Sequence, residues 1–232
     1  LAPDDPEMLP ELGPQTYAPA GGYDAGTAAL SPADRAAAVR AITDRAATAG
    51  LVSTGYLEAN GGSQAVATSR GLFAWSESTA AALTTTVRTP DGTGSGWAGA
   101  TSHDWSRIDP AALGARAIEK AERSRNPVAV EPGRYTVILE PTAVGNLVQL
   151  IAGAAQARAA DEGRSFFSKP GGGTKIGQKV VDERVTLLSD PLDTEAYGST
   201  FGGDGLPARK ITWIQDGVVQ NLAYDRWWAQ QK

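Results

Sequence analysis

Residues 210–224 read KITWIQDGVVQNLAY, and this stretch decides the class of fold. Two β-prone runs flank Asp216-Gly217, a pair that tolerates the positive φ angles of a tight turn. The spacing predicts an antiparallel hairpin with strands over 210–215 and 218–224. Upstream, segments rich in Val, Thr, Trp and Phe alternate with glycine-containing turns. They predict strands near 52–59, 64–69, 72–77, 79–88 and 95–101.

Three helices are predicted to cover this sheet, over 32–49, 110–124 and 142–160. Ser31-Pro32 and Asp109-Pro110 each supply an N-cap residue followed by proline at the first helical position. Further strands are predicted over 135–140 and 185–188. Thr142 is predicted to cap the third helix, whose apolar stripe is formed by Val144, Leu147, Val148, Ile151 and Ala155. Together these elements predict an α+β fold, an antiparallel twisted sheet with about three covering helices.

The order of elements divides the chain into three regions. Residues 1–30 contain five prolines and predict an extended, proline-rich linker or arm. Residues 31–130 predict a helix, an antiparallel meander and a second helix. Residues 131–232 predict a strand, a helix, a loop and the hairpin. The chain begins with Leu1 and stops soon after its last predicted strand, so we expect it to be a fragment of a longer protein.

Composition limits the chemistry that the chain can perform. Its 232 residues include one histidine, His103, and no cysteine. Because zinc sites draw on imidazoles, thiolates and carboxylates, we expect no zinc-type site here and assign His103 no catalytic role. The net charge of −5, without a basic stripe, argues against a nucleic-acid partner. No apolar run approaches the ~20 residues that span a bilayer and no signal peptide opens the chain, so we expect a cytoplasmic protein without membrane contact.

The third predicted helix has a second face of unusual composition. Gly145, Gln149, Gly153 and Gln156 lie together there, so this face has almost no side-chain bulk. Two interpretations stay open: packing against a neighbouring element, or a face that once lined a site. The loop over 158–180 contains three consecutive glycines between lysines, but it lacks the Gly-Lys-Ser/Thr ending of a phosphate-binding loop.

The ordered series of motifs resembles the TldD/PmbA family of metalloproteases, also described as modulators of DNA gyrase. The motifs are GRYTVILEP at 133–141, the glycine-bearing helix after it, DERVTL at 182–187, GLPARK at 205–210, IQDGV at 214–218 and YDR at 224–226. In the proteolytic branch of that family, the helix carries His-Glu-x-x-x-His. Laid on this chain, the motif falls on Gln149, Leu150 and Ala154, with Gly153 at the motif glycine. The resemblance therefore implies a vacated site, with no catalytic and no metal-binding residue.

This pattern resembles the PmbA/TldE-like branch, which pairs with a metal-bearing TldD-type subunit. The first hypothesis is a non-catalytic subunit, or a fragment of one, that completes the chamber in which a metalloprotease partner degrades peptides. The chain would have no cofactor of its own, and zinc would be expected only in the partner. That partner would be a TldD-type subunit or a second copy of this chain. Ile211, Trp213 and Val219 on the hairpin are candidates for contacting an extended peptide by strand addition.

Two other hypotheses stay open. A stand-alone module would bind peptide or carbohydrate through exposed tryptophans, although burial in a core or interface is their commoner fate. The candidates are Trp75, Trp97, Trp105, Trp213, Trp227 and Trp228. A carboxylate enzyme would instead draw on a group of acidic residues that are more often simply solvated. These are Asp182, Glu183, Asp190, Asp193 and Glu195.

Overall fold

The computed structural model describes residues 5–19 and 21–232. The helices of this part are α1 (Ala25–Ala28), α2 (Pro32–Thr48), α3 (Pro110–Arg123), α4 (Pro141–Ala154), α5 (Ala157–Asp161) and α6 (Arg226–Gln231). Its strands are β1 (Val52–Ala67), β2 (Phe73–Arg88), β3 (Ser95–Ser102), β4 (Leu187–Ser189), β5 (Ile211–Gln215) and β6 (Val218–Val219). Two antiparallel sheets, β1-β2-β3 and β4-β5-β6, confirm the predicted α+β class. Within the described ranges, every helix is too short or too polar to cross a membrane.

The first sheet is built around one long ribbon. β1 and β2 stay in register from the pair Val52–Arg88 to the pair Ala67–Phe73. The prediction of four shorter strands here was wrong. Gly61 and Gly62 pair with Thr79 and Ser78 without adopting positive φ, so the ladder continues through a composition typical of turns. Continuous cross-strand hydrogen bonding outweighs the local turn signal.

Helices α2 and α3 cover one face of this sheet. Their N-caps are confirmed: the Ser31 Oγ accepts from the backbone N–H of Asp34 at 3.1 Å, and an Asp109 carboxylate oxygen accepts from the backbone N–H of Ala112 at 3.0 Å. On α2, Ala38, Ile42 and Ala46 are buried, whereas Val39 is 41% exposed. The resulting core contains Ile42, Ala46, Leu51, Ala81, Leu83, Val87, Ala98, Ile108, Leu113, Ala117, Ile118 and Ala121.

Along β2, the buried face changes sides. Ala74 and Ser76 are buried near its start, whereas Thr79, Leu83 and Val87 are buried further along. Because alternate residues of a strand point to opposite faces, the two ends of the ribbon bury opposite faces. The helices cover the far end, and residues 197–205 lie against the near end. There the Gln64 Nε2 donates to the Ser199 Oγ at 2.7 Å, and Leu72 packs against Gly205.

The second half of the chain surrounds a smaller core. It comprises Ala155, Ala157, Ala160, Phe167, Val219 and Leu222. The prediction of one helix over 142–160 was wrong, because α4 ends at Ala154 and α5 begins at Ala157. Between them, Ala223 donates its N–H to Ala155 O at 2.7 Å and accepts from the N–H of Ala157 at 2.9 Å. These bonds replace the helical pattern at residues 155–156.

Several smaller predictions in this half were also wrong. Glu140, not Thr142, occupies the N-cap position of α4, and Pro141 is its first residue. The hairpin turn is confirmed, with φ of 50° at Asp216 and 79° at Gly217, but β6 ends at Val219 instead of residue 224. Residues 135–140 form no strand, because no described segment pairs with them. The strand predicted over 185–188 is displaced to β4, and α6 was not predicted.

The N-terminal region follows the surface of the molecule. Residues 5–19 form neither helix nor strand, and α1 interrupts the predicted extended segment. The Arg158 guanidinium donates two hydrogen bonds, of 2.7 and 2.9 Å, to the Glu7 carboxylate. Tyr17 donates its hydroxyl to Gly205 O at 2.8 Å and packs edge-to-face against Phe201. Side chains far apart in the sequence therefore hold this arm in place.

Candidate functional site

Helix α4 carries the four positions at which the resemblance places the proteolytic motif. Gln149 and Gly153 are exposed, Leu150 is 73% exposed, and Ala154 is half-buried against the second core. Residues 149 and 154 are separated by ~140° around a regular helix, so their side chains leave in different directions. A Cβ on Gly145 or Gly153 would meet nothing within 4 Å. Within the described part of the chain, the two glycine positions therefore pack against no neighbour, and α4 ends at Ala154.

The side chains at these positions do not fit a catalytic zinc ion. An amide, an isobutyl group and a methyl group provide no imidazole, thiolate or carboxylate ligand. They also provide no base that could take a proton from water. Across residues 5–19 and 21–232, no group of three His, Cys, Asp or Glu side chains is arranged to hold a metal ion. No step of peptide hydrolysis can therefore be assigned to α4.

An apolar cavity of about 310 Å³ lies between α4 and the second sheet. Val148 and Ile151 line it from α4, Phe167 from the loop after α5, and Leu188 and Trp213 from β4 and β5. The Trp213 indole is fixed by a hydrogen bond from its Nε1 to the Ser189 Oγ at 3.1 Å. The four positions on which the motif falls are not among the lining residues, so α4 and its C-cap residue present to the cavity only part of the apolar stripe, Val148, Ile151 and Ala155.

The three hairpin residues predicted to contact a peptide have different environments. Trp213 lines the apolar cavity, and Ile211 is half-buried beside a shallow depression on the same sheet. Val219 is 1% exposed and belongs to the second core, so it cannot contact a peptide in this structure. The peptide-contact prediction therefore remains for Ile211 and Trp213 alone.

The acidic residues considered for a carboxylate enzyme are engaged separately. Asp182 pairs with Arg184, Glu183 with Lys179, Asp190 with Lys210, and Glu195 with Arg107. Asp193 accepts from the backbone N–H of Glu195 at 2.8 Å. The hydrogen bonds from the Arg184 side chain and backbone lower the pKa of Asp182 to about 2. A carboxyl group with that pKa is poorly matched to general acid catalysis near neutral pH.

The pKa of Asp182 can be checked by an NMR titration of its carboxyl carbon. We expect a midpoint near pH 2, and we expect Arg184→Ala to return it towards the ordinary value of 3.8. Because the pKa is lowered in the fold, the ion pair stabilises the protein above pH 3.8, and this contribution is lost as the pH falls towards 2. The control Arg164→Ala should leave the midpoint unchanged. An Asp182 midpoint near 4 in the unsubstituted chain would contradict the described contact.

The tryptophans do not gather into one surface. Trp75 and Trp97 are 51% and 38% exposed on the first sheet, whereas the other four are half-buried. Trp227 and Trp228 flank the Arg158 guanidinium, whose carbon lies 5.0 and 5.5 Å from their ring centroids. The other two are Trp105, against the first core, and Trp213.

Several residues that hold the second half of the chain together carry little signal in the sequence. Phe167 lies in the loop predicted over 158–180, yet it is 2% exposed and closes the apolar cavity. Arg158 connects the N-terminal arm, through Glu7, to α5 and α6. Of its partners, the local sequence indicates only Glu162, four residues further on, whose carboxylate accepts from the Arg158 Nε at 3.0 Å. Asn221 lines the cavity and donates its Nδ2 to Thr212 O at 2.8 Å. Asn221 reaches this position only because the segment after β6 folds back beside β5.

Comparison with solved structures shows a shared fold. A candidate modulator of DNA gyrase from Thermotoga maritima matches with a TM-score of 0.87 and 17% identity, over 97% of this chain and 53% of that one. TldE from Thermococcus kodakarensis matches with a TM-score of 0.78 and 18% identity, over 99% of this chain and 52% of that one. The chain thus spans about half of these proteins.

Comparison of sequences gives the family. A protein of Methanothermobacter thermautotrophicus named metalloprotease is 29% identical over 122 residues, which are 52% of this chain and 26% of that protein. Residues 25–125 match the PmbA/TldA metallopeptidase central domain, and residues 132–232 match the PmbA/TldA metallopeptidase C-terminal domain. These two matches cover most of the sequence, and the chain belongs to the PmbA/TldD metallopeptidase family.

Proposed function

We propose that this chain is a non-catalytic, TldE-like subunit that completes the peptide-binding chamber of a metal-bearing TldD-type partner in the cytoplasm. The observation that carries the proposal is the side-chain chemistry of α4. Gln149, Leu150 and Ala154 occupy the positions of the family's proteolytic motif, and none of them can serve as a zinc ligand or general base. The chain retains the helix while lacking the groups that perform hydrolysis.

Exposed apolar side chains support a protein partner. Between α3 and α4, Val137 and Ile138 are 67% and 97% exposed, and Leu150 on α4 is 73% exposed. Large exposed apolar patches on a folded protein mark sites of interaction. A TldD-type subunit that packs here would also supply a strand to residues 135–140, which have high β propensity and no partner among the described segments.

The apolar cavity supports contact with a peptide. Its volume of about 310 Å³ suffices for one bulky apolar side chain, and Trp213 forms part of its wall. An extended peptide could place such a side chain in the cavity while its backbone follows β4, which lies at the edge of the second sheet and also lines the cavity. In this proposal Ile211 and Trp213 select the peptide, and the partner subunit performs the hydrolysis.

Reconstitution tests the proposed function. A TldD-type family member carrying His-Glu-x-x-x-His is assayed on an unstructured peptide, with and without an equimolar amount of this chain. We expect a stable complex and faster, chelator-sensitive hydrolysis than with the TldD-type member alone. Ile138→Asp should weaken the complex, whereas Val52→Asp, at an exposed apolar position on β1, should not. Chelator-sensitive hydrolysis by this chain alone, or the lack of any complex, would contradict the proposal.

A further inference from the structure

A second cavity, of about 480 Å³, lies where residues 197–200 approach the β1-β2 ribbon. Its floor is one face of the ribbon, on which Gly62 pairs with Ser78 and Gln64 pairs with Ser76. Ala80, two residues beyond Ser78, continues the same face. This is the point at which β2 changes its buried face, so neither the helices nor the second half of the chain fills the space.

Aromatic side chains form the wall of this cavity. The Tyr197 ring packs so closely over the arm that a Cβ on Gly21 would lie 2.3 Å from it, and one on Gly22 would lie 2.9 Å from the Tyr197 Cβ. His103 meets Tyr197 edge-to-face, with ring centroids 5.0 Å apart. The bond between Gln64 and Ser199 connects the floor to the loop over 197–200. The cavity is therefore bounded by contacts between four distant parts of the chain.

The lining is rich in groups that both donate and accept hydrogen bonds. Four serine and threonine side chains contribute to it from the floor and from the loop over 197–200: Ser76, Ser78, Ser199 and Thr200. Ser63 and Thr79 leave the opposite face of the ribbon, and the Thr79 Oγ1 already donates to His103 O at 2.7 Å. Its ionisable side chains are Glu77, His103 and Tyr197, and Glu77 leaves the opposite face of β2 because it lies between Ser76 and Ser78. Among the described lining residues, an anion would find no lysine or arginine, and a cation would find no carboxylate on the floor. Hydroxyl and amide groups suit a neutral, hydroxyl-rich ligand.

We propose that this cavity binds an uncharged polyol with the size of one or two sugar rings. The volume falls in the usual range of small-molecule sites. Hydroxyls of the ligand would exchange hydrogen bonds with Ser76 and Ser78 on the floor, and the edge of the Tyr197–His103 pair would contact its apolar face. This site is separate from α4 and from the tryptophans, and it does not depend on the proposed subunit function.

Calorimetric titration of the full chain with glucose, maltose, cellobiose and N-acetylglucosamine tests the proposal, with sodium phosphate and glycylglycine as charged probes. We expect saturable binding of at least one sugar, at one site per chain, and no binding of the charged probes. Gly62→Val should weaken the binding roughly tenfold or more, because the new side chain occupies the floor of the cavity, where a Cβ meets nothing within 4 Å.

A matched control uses the opposite face of the same strand. Ala65→Val introduces the same side chain at an exposed position outside the cavity, and we expect it to leave the affinity unchanged. Thermal unfolding of both variants verifies that they are folded. The proposal is overturned if none of the four sugars binds saturably, if Gly62→Val binds as well as the unsubstituted chain, or if only phosphate or glycylglycine binds.

Discussion

Replacing Gly96 by alanine is expected to destabilise the first half of the chain by about 3 kcal/mol, because β3 and α3 touch at this glycine. A Cβ at position 96 would lie 2.1 Å from Ala117 O, 2.5 Å from the backbone nitrogen of Ala121 and 2.6 Å from the Lys120 Cβ. Two of these atoms belong to the helix backbone and cannot rotate away. The substitution therefore forces α3 off the sheet that it covers.

Denaturant unfolding followed by circular dichroism measures this effect. The matched control is Gly62→Ala in the same sheet, where the added Cβ meets nothing within 4 Å. We expect the control to change the free energy of unfolding by less than about 0.5 kcal/mol. Equal unfolding midpoints for the two variants would show that β3 and α3 are not packed as closely as described.

The second large effect is expected at Phe167, whose replacement by alanine should cost about 4 kcal/mol. Its ring is 2% exposed and contributes to both the second core and the wall of the apolar cavity. Truncation leaves a void beside Ala155, Ala157 and Leu222, side chains that cannot move far enough to fill it. We therefore expect loss of order in α5 and in the hairpin packed against it.

The neighbouring Phe166 provides the control for this prediction. It is 57% exposed and meets Phe167 edge-to-face at 5.2 Å, with the Lys175 Nζ 4.0 Å from its ring centroid. Phe166→Ala should cost only about 1 kcal/mol, because it removes an aromatic and a cation–π contact but no core volume. Hydrogen exchange measured on both variants locates the change. Equal protection of α5 in the two variants would contradict the assignment of Phe167 to the core.

The sequence predicts correctly those features of the fold that depend only on residues close together in the chain, such as helix starts and tight turns. Ser31-Pro32 and Asp109-Pro110 start helices because a cap and a fixed φ act within one turn. Asp216-Gly217 forms its turn because both residues tolerate positive φ, which is again a local property. The failures involve distant partners. Ala223 interrupts the helix at residues 155–156, and residues 135–140 remain irregular without a strand beside them.

At the candidate site, too, the chemistry of the side chains is predicted from the sequence, whereas their surroundings depend on distant parts of the chain. The side chains at Gln149, Leu150 and Ala154 follow from the sequence, and so does their inability to hold zinc. The exposure of Gln149 and Leu150, and their separation from the apolar cavity, depend on where the fold places α4 relative to β4 and β5. The cavity beside Tyr197 depends on four parts of the chain that are far apart in the sequence, so no local pattern predicts it.

The zinc content of the purified chain shows whether α4 can hold a metal ion. The chain is dialysed against zinc, freed of unbound metal, and analysed by mass spectrometry for metal per chain, with a TldD-type family member carrying His-Glu-x-x-x-His as the positive control. We expect zinc far below one equivalent in this chain and one equivalent in the control. One tightly bound zinc per chain would contradict it, because the residues of α4 would then not describe a vacated site.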